Sequence, residues 1–367
     1  MIPFSDPYAS YLSHKEEIDL AIDRVLQSGI FVLGKEVEFF EQEFALFHGN
    51  NLDAVGVANG TDAVALCLLS LGLTAGDEVI TSSHTAIATV AGIEQAGCSP
   101  VLADIDSTTR CICPKSIESR ISEKTRAIMP VHIYGQPCDM FKILEIAKEN
   151  NLSVIEDCSQ AHGAEIGGKK IGTFGTLSVF SCYPTKNLGG IGDGGIILCT
   201  SHPLAEKLRS IRQYGWNENR ESINIGLNSR LDELQASILR VKLKYLISDN
   251  EKRRQLADYY DIELKGLPLV LPNRPKNEIH AMHLYVIESD ERDELLNYLR
   301  KQGIGASLHY QLPIHRHRAY SRRLRGCENL PITNKLYDKI LTLPLYPEIE
   351  METIEKIAAS IIKYFSK

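Results

Sequence analysis

An α/β fold is predicted, with a mostly parallel central sheet between helices and a smaller C-terminal α+β domain, and three observations predict it. From Ala54 to Cys199 short apolar runs alternate with helix-length segments, the rhythm that yields parallel sheets covered on both faces. A Pro-rich piece, Leu267-Pro268 to Pro275, interrupts that rhythm and marks a change of domain. The chain's 367 residues suffice for two such units, and we place them at 1–247 and 248–367.

The elements follow in order. After an extended start, Ser13 to Ser28 carries Ile18, Ala21, Ile22 and Val25 at helical spacing. Gly29 and Gly34 bracket Ile30-Phe31-Val32-Leu33, an apolar loop expected to pack on something, in this chain or a second copy. Glu36 to His48 reads as a helix turning Val37, Phe40, Phe44 and Phe47 inward. Strands are expected at 54–58, 78–82, 101–104, 127–133, 152–156 and 196–199, and helices at 63–71, 86–96, 114–121, 140–150 and 203–213. A long helix is expected from Arg230 to Leu246, opened by Asn228-Ser229, and another from Asn250 to Leu264. The small domain reads as a strand at 283–288, a helix at 291–302, a turn at 303–307 and a closing helix at 351–365.

Composition narrows the function classes. Forty basic residues against 47 acidic ones give a net charge of −7 without a basic block, so nucleic-acid binding is not expected. Arg316, Arg318, Arg322, Arg323 and Arg325 form a local basic patch that could meet a phosphate-bearing small molecule. Nine scattered cysteines, with only Cys111 and Cys113 close together, suggest neither a zinc site nor a disulfide framework. No stretch has membrane-spanning length, and a cytoplasmic location is expected.

The chemistry gathers at strand ends. Ser178 to Tyr183 is a β-type run stopped by Pro184, and Lys186 follows where the chain turns glycine-rich. No acidic residue stands beside it before Asp193, so burial would lower its pKa and make it a nucleophilic amine. Asp157 ends an upstream strand, and Asn59-Gly60-Thr61-Asp62 breaks another before a helix, where free N–H groups suit an anion. An amine, a carboxylate and a phosphate cradle are what pyridoxal phosphate (PLP) needs. The run Gly189-Gly190-Ile191-Gly192-Asp193-Gly194-Gly195 lacks a GxGxxG spacing opening a helix, so a tight turn is expected there instead of a dinucleotide site.

With these motifs the chain resembles the DegT-type (DegT/DnrJ/EryC1/StrS) nucleotide-sugar aminotransferases. The strings Asn59-Gly60-Thr61-Asp62-Ala63, Pro130-Val131-His132-Ile133-Tyr134-Gly135-Gln136, Glu156-Asp157-Cys158-Ser159-Gln160-Ala161-His162-Gly163, Phe180-Ser181-Cys182-Tyr183-Pro184-Thr185-Lys186-Asn187 and Asn228-Ser229-Arg230-Leu231-Asp232-Glu233 run in family order along nearly the whole chain. The resemblance implies fold type I of the PLP-dependent transferases, as in aspartate aminotransferase. It implies that Lys186 bonds the cofactor as a Schiff base and shuttles the proton, while Asp157 pairs with the pyridine nitrogen. Gln160 would meet the ring hydroxyl, and Gly60, Thr61 and Ser181 the phosphate, with Asn228 arriving from the partner of a homodimer. Where many relatives have a stacking aromatic residue, this chain has Ala86, and His84 is the candidate substitute. Tyr183, Arg230, His309 and Tyr310 are candidate sugar or diphosphate contacts.

L-Glutamate is the implied amino donor and a nucleotide-linked keto-6-deoxy sugar the acceptor. The string Arg212-Gln213-Tyr214-Gly215-Trp216 looks most like members that aminate C3 of a dTDP-linked sugar. Amination at C4 of a dTDP- or UDP-4-keto sugar is the alternative. A sugar dehydratase of this fold would carry His in place of Lys186, and a non-catalytic regulator would be expected to have lost Lys186 or Asp157.

Overall fold

A computed structural model, describing residues 1–366, builds the chain around a seven-stranded sheet. Ahead of it lie α1 (Pro7–Leu12), α2 (Lys15–Ser28) and α3 (Lys35–His48). Strands and helices then alternate as β1 (Asp53–Val57), α4 (Gly60–Ser70), β2 (Glu78–Ser82), α5 (Ile87–Gln95), β3 (Ser99–Ala103), α6 (Pro114–Glu118), β4 (Thr125–Met129), α7 (Met140–Glu149) and β5 (Ser153–Asp157). Two short strands, β6 (Glu165–Ile166) and β7 (Lys169–Lys170), precede β8 (Leu177–Ser181) and β9 (Gly195–Cys199). Helices α8 (His202–Ile211), α9 (Glu233–Leu243) and α10 (Leu246–Glu263) follow. The remainder comprises β10 (Leu269–Val270), β11 (Glu278–Ile279), β12 (Tyr285–Ser289), α11 (Arg292–Lys301), α12 (Pro331–Leu336), β13 (Ile340–Leu343) and α13 (Met351–Phe365).

The large sheet has the order β1-β9-β8-β5-β4-β2-β3, and only β9 runs against its neighbours. Strand alternation feeds two cores. Val55, Val79, Ile155, Val179 and Ile197 point into one, against α4 and α8, while Ala54, Ile80, Val154, Phe180 and Ile196 point into the other, beneath α3, α7 and α9. Because the other strands are parallel, the carboxyl ends of β1, β2, β4, β5 and β8 open on one rim. Such a rim is where ligands of open α/β sheets bind.

A third core belongs to the small domain, where β10-β12-β13 packs with α11, α13 and the distal half of α10. The boundary expected at 247/248 falls inside α10: Leu246 joins the large-domain core, and Leu256, Ala257 and Tyr260 join the small one. The first residues also dock on the small domain, the Ile2 N–H donating to the Gly303 carbonyl at 2.8 Å and the Gly305 N–H to the Ile2 carbonyl at 2.7 Å.

Local chemistry explains the departures from expectation. The start is not extended: Asp6 Oδ1 accepts from the amides of Tyr8 and Ala9, and Pro7 occupies the first turn, so α1 forms. The helix expected from Arg230 begins only at Glu233. Residues 228–232 are held extended, Asn228 bridging Gln213 and Asp232 bridging Val32. The strand β13 and helix α12 had no counterpart in the expectation, although Ile340-Leu341-Thr342-Leu343 is a strand-like run. No helix among the described residues is long and apolar enough to cross a membrane.

Candidate active site

At the strand-end rim a cavity of about 250 Å³ is lined by Gly60, Thr61, Thr85, Ala86, Thr89, Val131, Asp157, Ser159, Gln160, Ser181, Tyr183, Lys186 and Asp193. One end of it follows from β1. Asn59 caps α4 by accepting the Asp62 N–H at 2.8 Å, which leaves the first-turn amides of Gly60 and Thr61 available to an anion. Glycine is required at 60: a Cβ there would lie 2.8 Å from Ser181 Cβ. Hence α4 and the end of β8 approach closely, with Ser181 beside those amides.

Lys186 stands between a strand stop and a clamped turn. Its backbone N–H closes on the Tyr183 carbonyl at 2.8 Å, and Asn187 is held by Asn250, Ala281 and His283. Downstream, Gln235 of α9 grips both backbone groups of Ile191 at 2.8 and 2.9 Å, fixing the glycine turn expected there. Burial pushes the Lys186 amine down to about 8, against the opposing pull of Asp157 and Cys182. It is therefore a partly neutral amine near neutral pH.

Asp157, on β5, points to the α4 side of the sheet, while its neighbour Glu156 points to the other. Its Oδ2 accepts from Thr89 Oγ1 at 2.8 Å and its Oδ1 from the Ser159 N–H at 3.1 Å. Gln160 is fixed at both ends: Oε1 accepts the Tyr134 N–H at 2.7 Å, and Nε2 donates to the Tyr310 hydroxyl at 2.7 Å. Tyr134 adopts φ +61°, a left-handed conformation disfavoured for its side chain, in presenting that N–H.

Other expected residues lie at different distances from the cavity. Tyr183 is 53% exposed and forms its mouth. His309 donates or accepts at Thr342 Oγ1 across 2.9 Å, and burial, with the Lys186 charge adding, pushes its pKa down to about 4. Tyr310 reaches the site through Gln160, and burial raises its pKa. Arg230 is half-buried and Asn228 exposed, both outside the cavity lining of this single chain. Of the basic patch, Arg323 pairs with Glu94 at 2.5 Å and Arg325 with Glu78 at 2.7 Å.

His84, the candidate stacking residue, does not line the cavity. Its N–H turns onto Ser82 Oγ at 3.1 Å, and its fully buried ring meets Tyr134 and Tyr337 edge-on, with Nδ1 3.0 Å from the Tyr337 hydroxyl. That turn sends the imidazole away from the cavity, leaving Ala86 and Val131 in the lining. Sequence reading missed Thr85 and Thr89, although their i, i+4 spacing at the expected helix start was a usable signal. A larger groove of about 410 Å³ runs past Glu38, Glu41, Asp53 and Arg209, but Arg209 is already paired with Glu41, Glu206 and Asp53 there.

An amine, a carboxylate, a rigid amide side chain and an anion cradle thus converge on one cavity, and these residues fit PLP. Comparisons with known proteins agree. The profile of the DegT/DnrJ/EryC1/StrS aminotransferase family matches residues 12–362. A dTDP-3-amino-3,6-dideoxy-α-D-galactopyranose transaminase of Aneurinibacillus thermoaerophilus is 43% identical, the match covering 99% of each chain. A UDP-N-acetyl-3-dehydro-α-D-glucosamine 3-aminotransferase of Acidithiobacillus ferrooxidans is 38% identical over 98% of each. The crystal structure of S. venezuelae DesV in complex with a ketimine intermediate superposes with a TM-score of 0.97 at 38% identity, covering 100% of this chain and 99% of that one.

Proposed function

The chain belongs to the DegT/DnrJ/EryC1/StrS aminotransferase family and is a PLP-dependent sugar aminotransferase; from that premise we propose that it moves an amino group from L-glutamate to C3 of a dTDP-linked 3-keto-6-deoxyhexose. The observation that carries the substrate reading is the 43% identity, end to end, with a transaminase that makes a dTDP-3-amino-3,6-dideoxy sugar. The similar UDP-sugar aminotransferase favours C3 as well but leaves the nucleotide as the point to test.

PLP, when bound, supplies an aldehyde for an amine and a ring that withdraws electrons. Lys186 Nζ would hold that aldehyde, and as a free amine it would serve as general base and acid at the substrate carbon. A pKa near 8 suits both duties at neutral pH. Asp157, held at both oxygens, would keep the ring nitrogen's proton in place. Gly60, Thr61 and Ser181 would bind the phosphate, and Gln160 would offer an N–H to the ring hydroxyl. Tyr183 borders the space left for the sugar, His309 and Tyr310 are candidates for contacts to it, and Arg230 is a candidate for the diphosphate.

The site is completed by a second copy in this reading. Ile30, Phe31 and Val32 are about half exposed in the single chain although their backbone pairs with residues 232–233, an apolar stretch left open on its outer side. Asn228, exposed here, would enter the neighbouring chain's phosphate end.

Purified protein given PLP should show a visible band that L-glutamate bleaches and that Lys186→Ala lacks. Mass analysis of products from dTDP-3-keto, dTDP-4-keto and UDP-linked keto sugars then decides the acceptor. A wild-type protein with no band in excess PLP would sink the reading.

A further inference from the structure

Three buried oxygens form a line into the cavity wall. Thr85 Oγ1 lies 2.8 Å from Thr89 Oγ1, which lies 2.8 Å from Asp157 Oδ2. The three residues are 2%, 1% and 4% exposed, so water does not compete for these bonds. Direction is set by chemistry. A carboxylate only accepts, so Thr89 must give its single proton to Asp157. Its oxygen is then left as the acceptor for Thr85, which must donate in turn. Two hydroxyl dipoles therefore point the same way, toward one carboxylate oxygen, and hydrogen bonds aligned in this fashion reinforce each other away from water.

Position matters as much as direction. Thr89 sits in the first turn of α5, a helix packed on α4, and Thr85 precedes that helix. Both hydroxyl-bearing residues line the cavity with Asp157. The other Asp157 oxygen is held by the Ser159 amide, which comes from its own chain segment. Thr89 is thus the tie between the carboxylate and α5.

We propose that Thr89, backed by Thr85, is a positioning residue that orients Asp157 and moderates its pull on the proton of the cofactor's ring nitrogen. This rests on the PLP reading above. Without the Thr89 donor the freed oxygen attracts that proton more strongly, the ring carries less positive charge, and the nitrogen joining Lys186 to the cofactor keeps its own proton to higher pH.

Thr89→Val matches the shape and removes the donor; Thr89→Ser keeps the donor. In PLP titrations Thr89→Val should bind about ten-fold more weakly, and the pH midpoint of its visible band should move upward. Thr89→Ser should restore both, and Thr85→Val should shift the band the same way by less. PLP-free Thr89→Val should melt within a few degrees of wild type; if it does not fold, Thr85→Val takes its place in the same titration. A wild-type band with a Thr89→Val midpoint and affinity equal to wild type would overturn the inference while leaving the transaminase standing. No wild-type band at all would remove both.

Discussion

Lys186 illustrates how one residue's surroundings set its chemistry. A solvated lysine keeps its proton far above neutral pH, and here burial outweighs the nearby Asp157 carboxylate and brings the value to about 8. Only the neutral amine attacks an aldehyde. The rate at which PLP-free protein captures PLP should therefore rise with pH to a plateau with a midpoint near 8, and Asp157→Asn should lower that midpoint because it removes the charge that raises it. A rate still climbing beyond pH 10 would contradict the assignment. Gly60 is the steric counterpart: its missing Cβ is what lets Ser181 stand beside the same helix end.

Individual elements owe their placement to buried carboxylates. Glu233, at the start of α9, accepts the amides of Gly34, Glu36 and Val37 at 2.8 to 2.9 Å, so one helix's first residue caps another helix, α3. Glu233→Ala leaves three amides unpaired in a site 3% exposed. A loss of about 2–4 kcal/mol is expected from a urea midpoint, and an unchanged midpoint would show that water satisfies them. Across the sheet from Asp157, Glu156 accepts from Gly172, Phe174 and Gly175 at 2.7 to 2.9 Å and lies 3.3 Å from His132. Burial opposes its charge, but His132 and these amides prevail and hold the carboxyl below its ordinary range. Glu156 thereby anchors the loop into β8, the strand that delivers Ser181 and Lys186.

For the whole molecule, histidine burial sets the acid limit. Burial pushes His48 down to about 4 and His84, His162 and His280 to about 3. In the unfolded chain each returns to about 6.5. Below that pH the unfolded state binds more protons than the folded one, so stability falls as pH falls. Each histidine should cost of order 1 kcal/mol by pH 5.5. Melting temperature should drop clearly between pH 7 and 5.5, and equal values at both would show that these rings are protonated without unfolding.

The strand–helix rhythm and the gathering of Lys186, Asp157, Gly60 and Thr61 at strand ends, around one cavity, were legible in the sequence because each rests on local information: periodicity, a strand end, or a helix start with a cap. Elements were placed correctly wherever such signals were strong, as at β2 and α13. What sequence left open was decided by contacts between distant segments. Arg230 is not at a helix start because residues 213 and 32 hold its neighbours extended. His84 does not line the cavity because Tyr134 and Tyr337, remote in sequence, enclose its ring. The Thr85–Thr89–Asp157 line exists only because β5 and α5 meet over α4's side of the sheet. A side chain's residue type is written in the chain, but its direction is fixed by the packing of elements that sequence neighbours do not reveal.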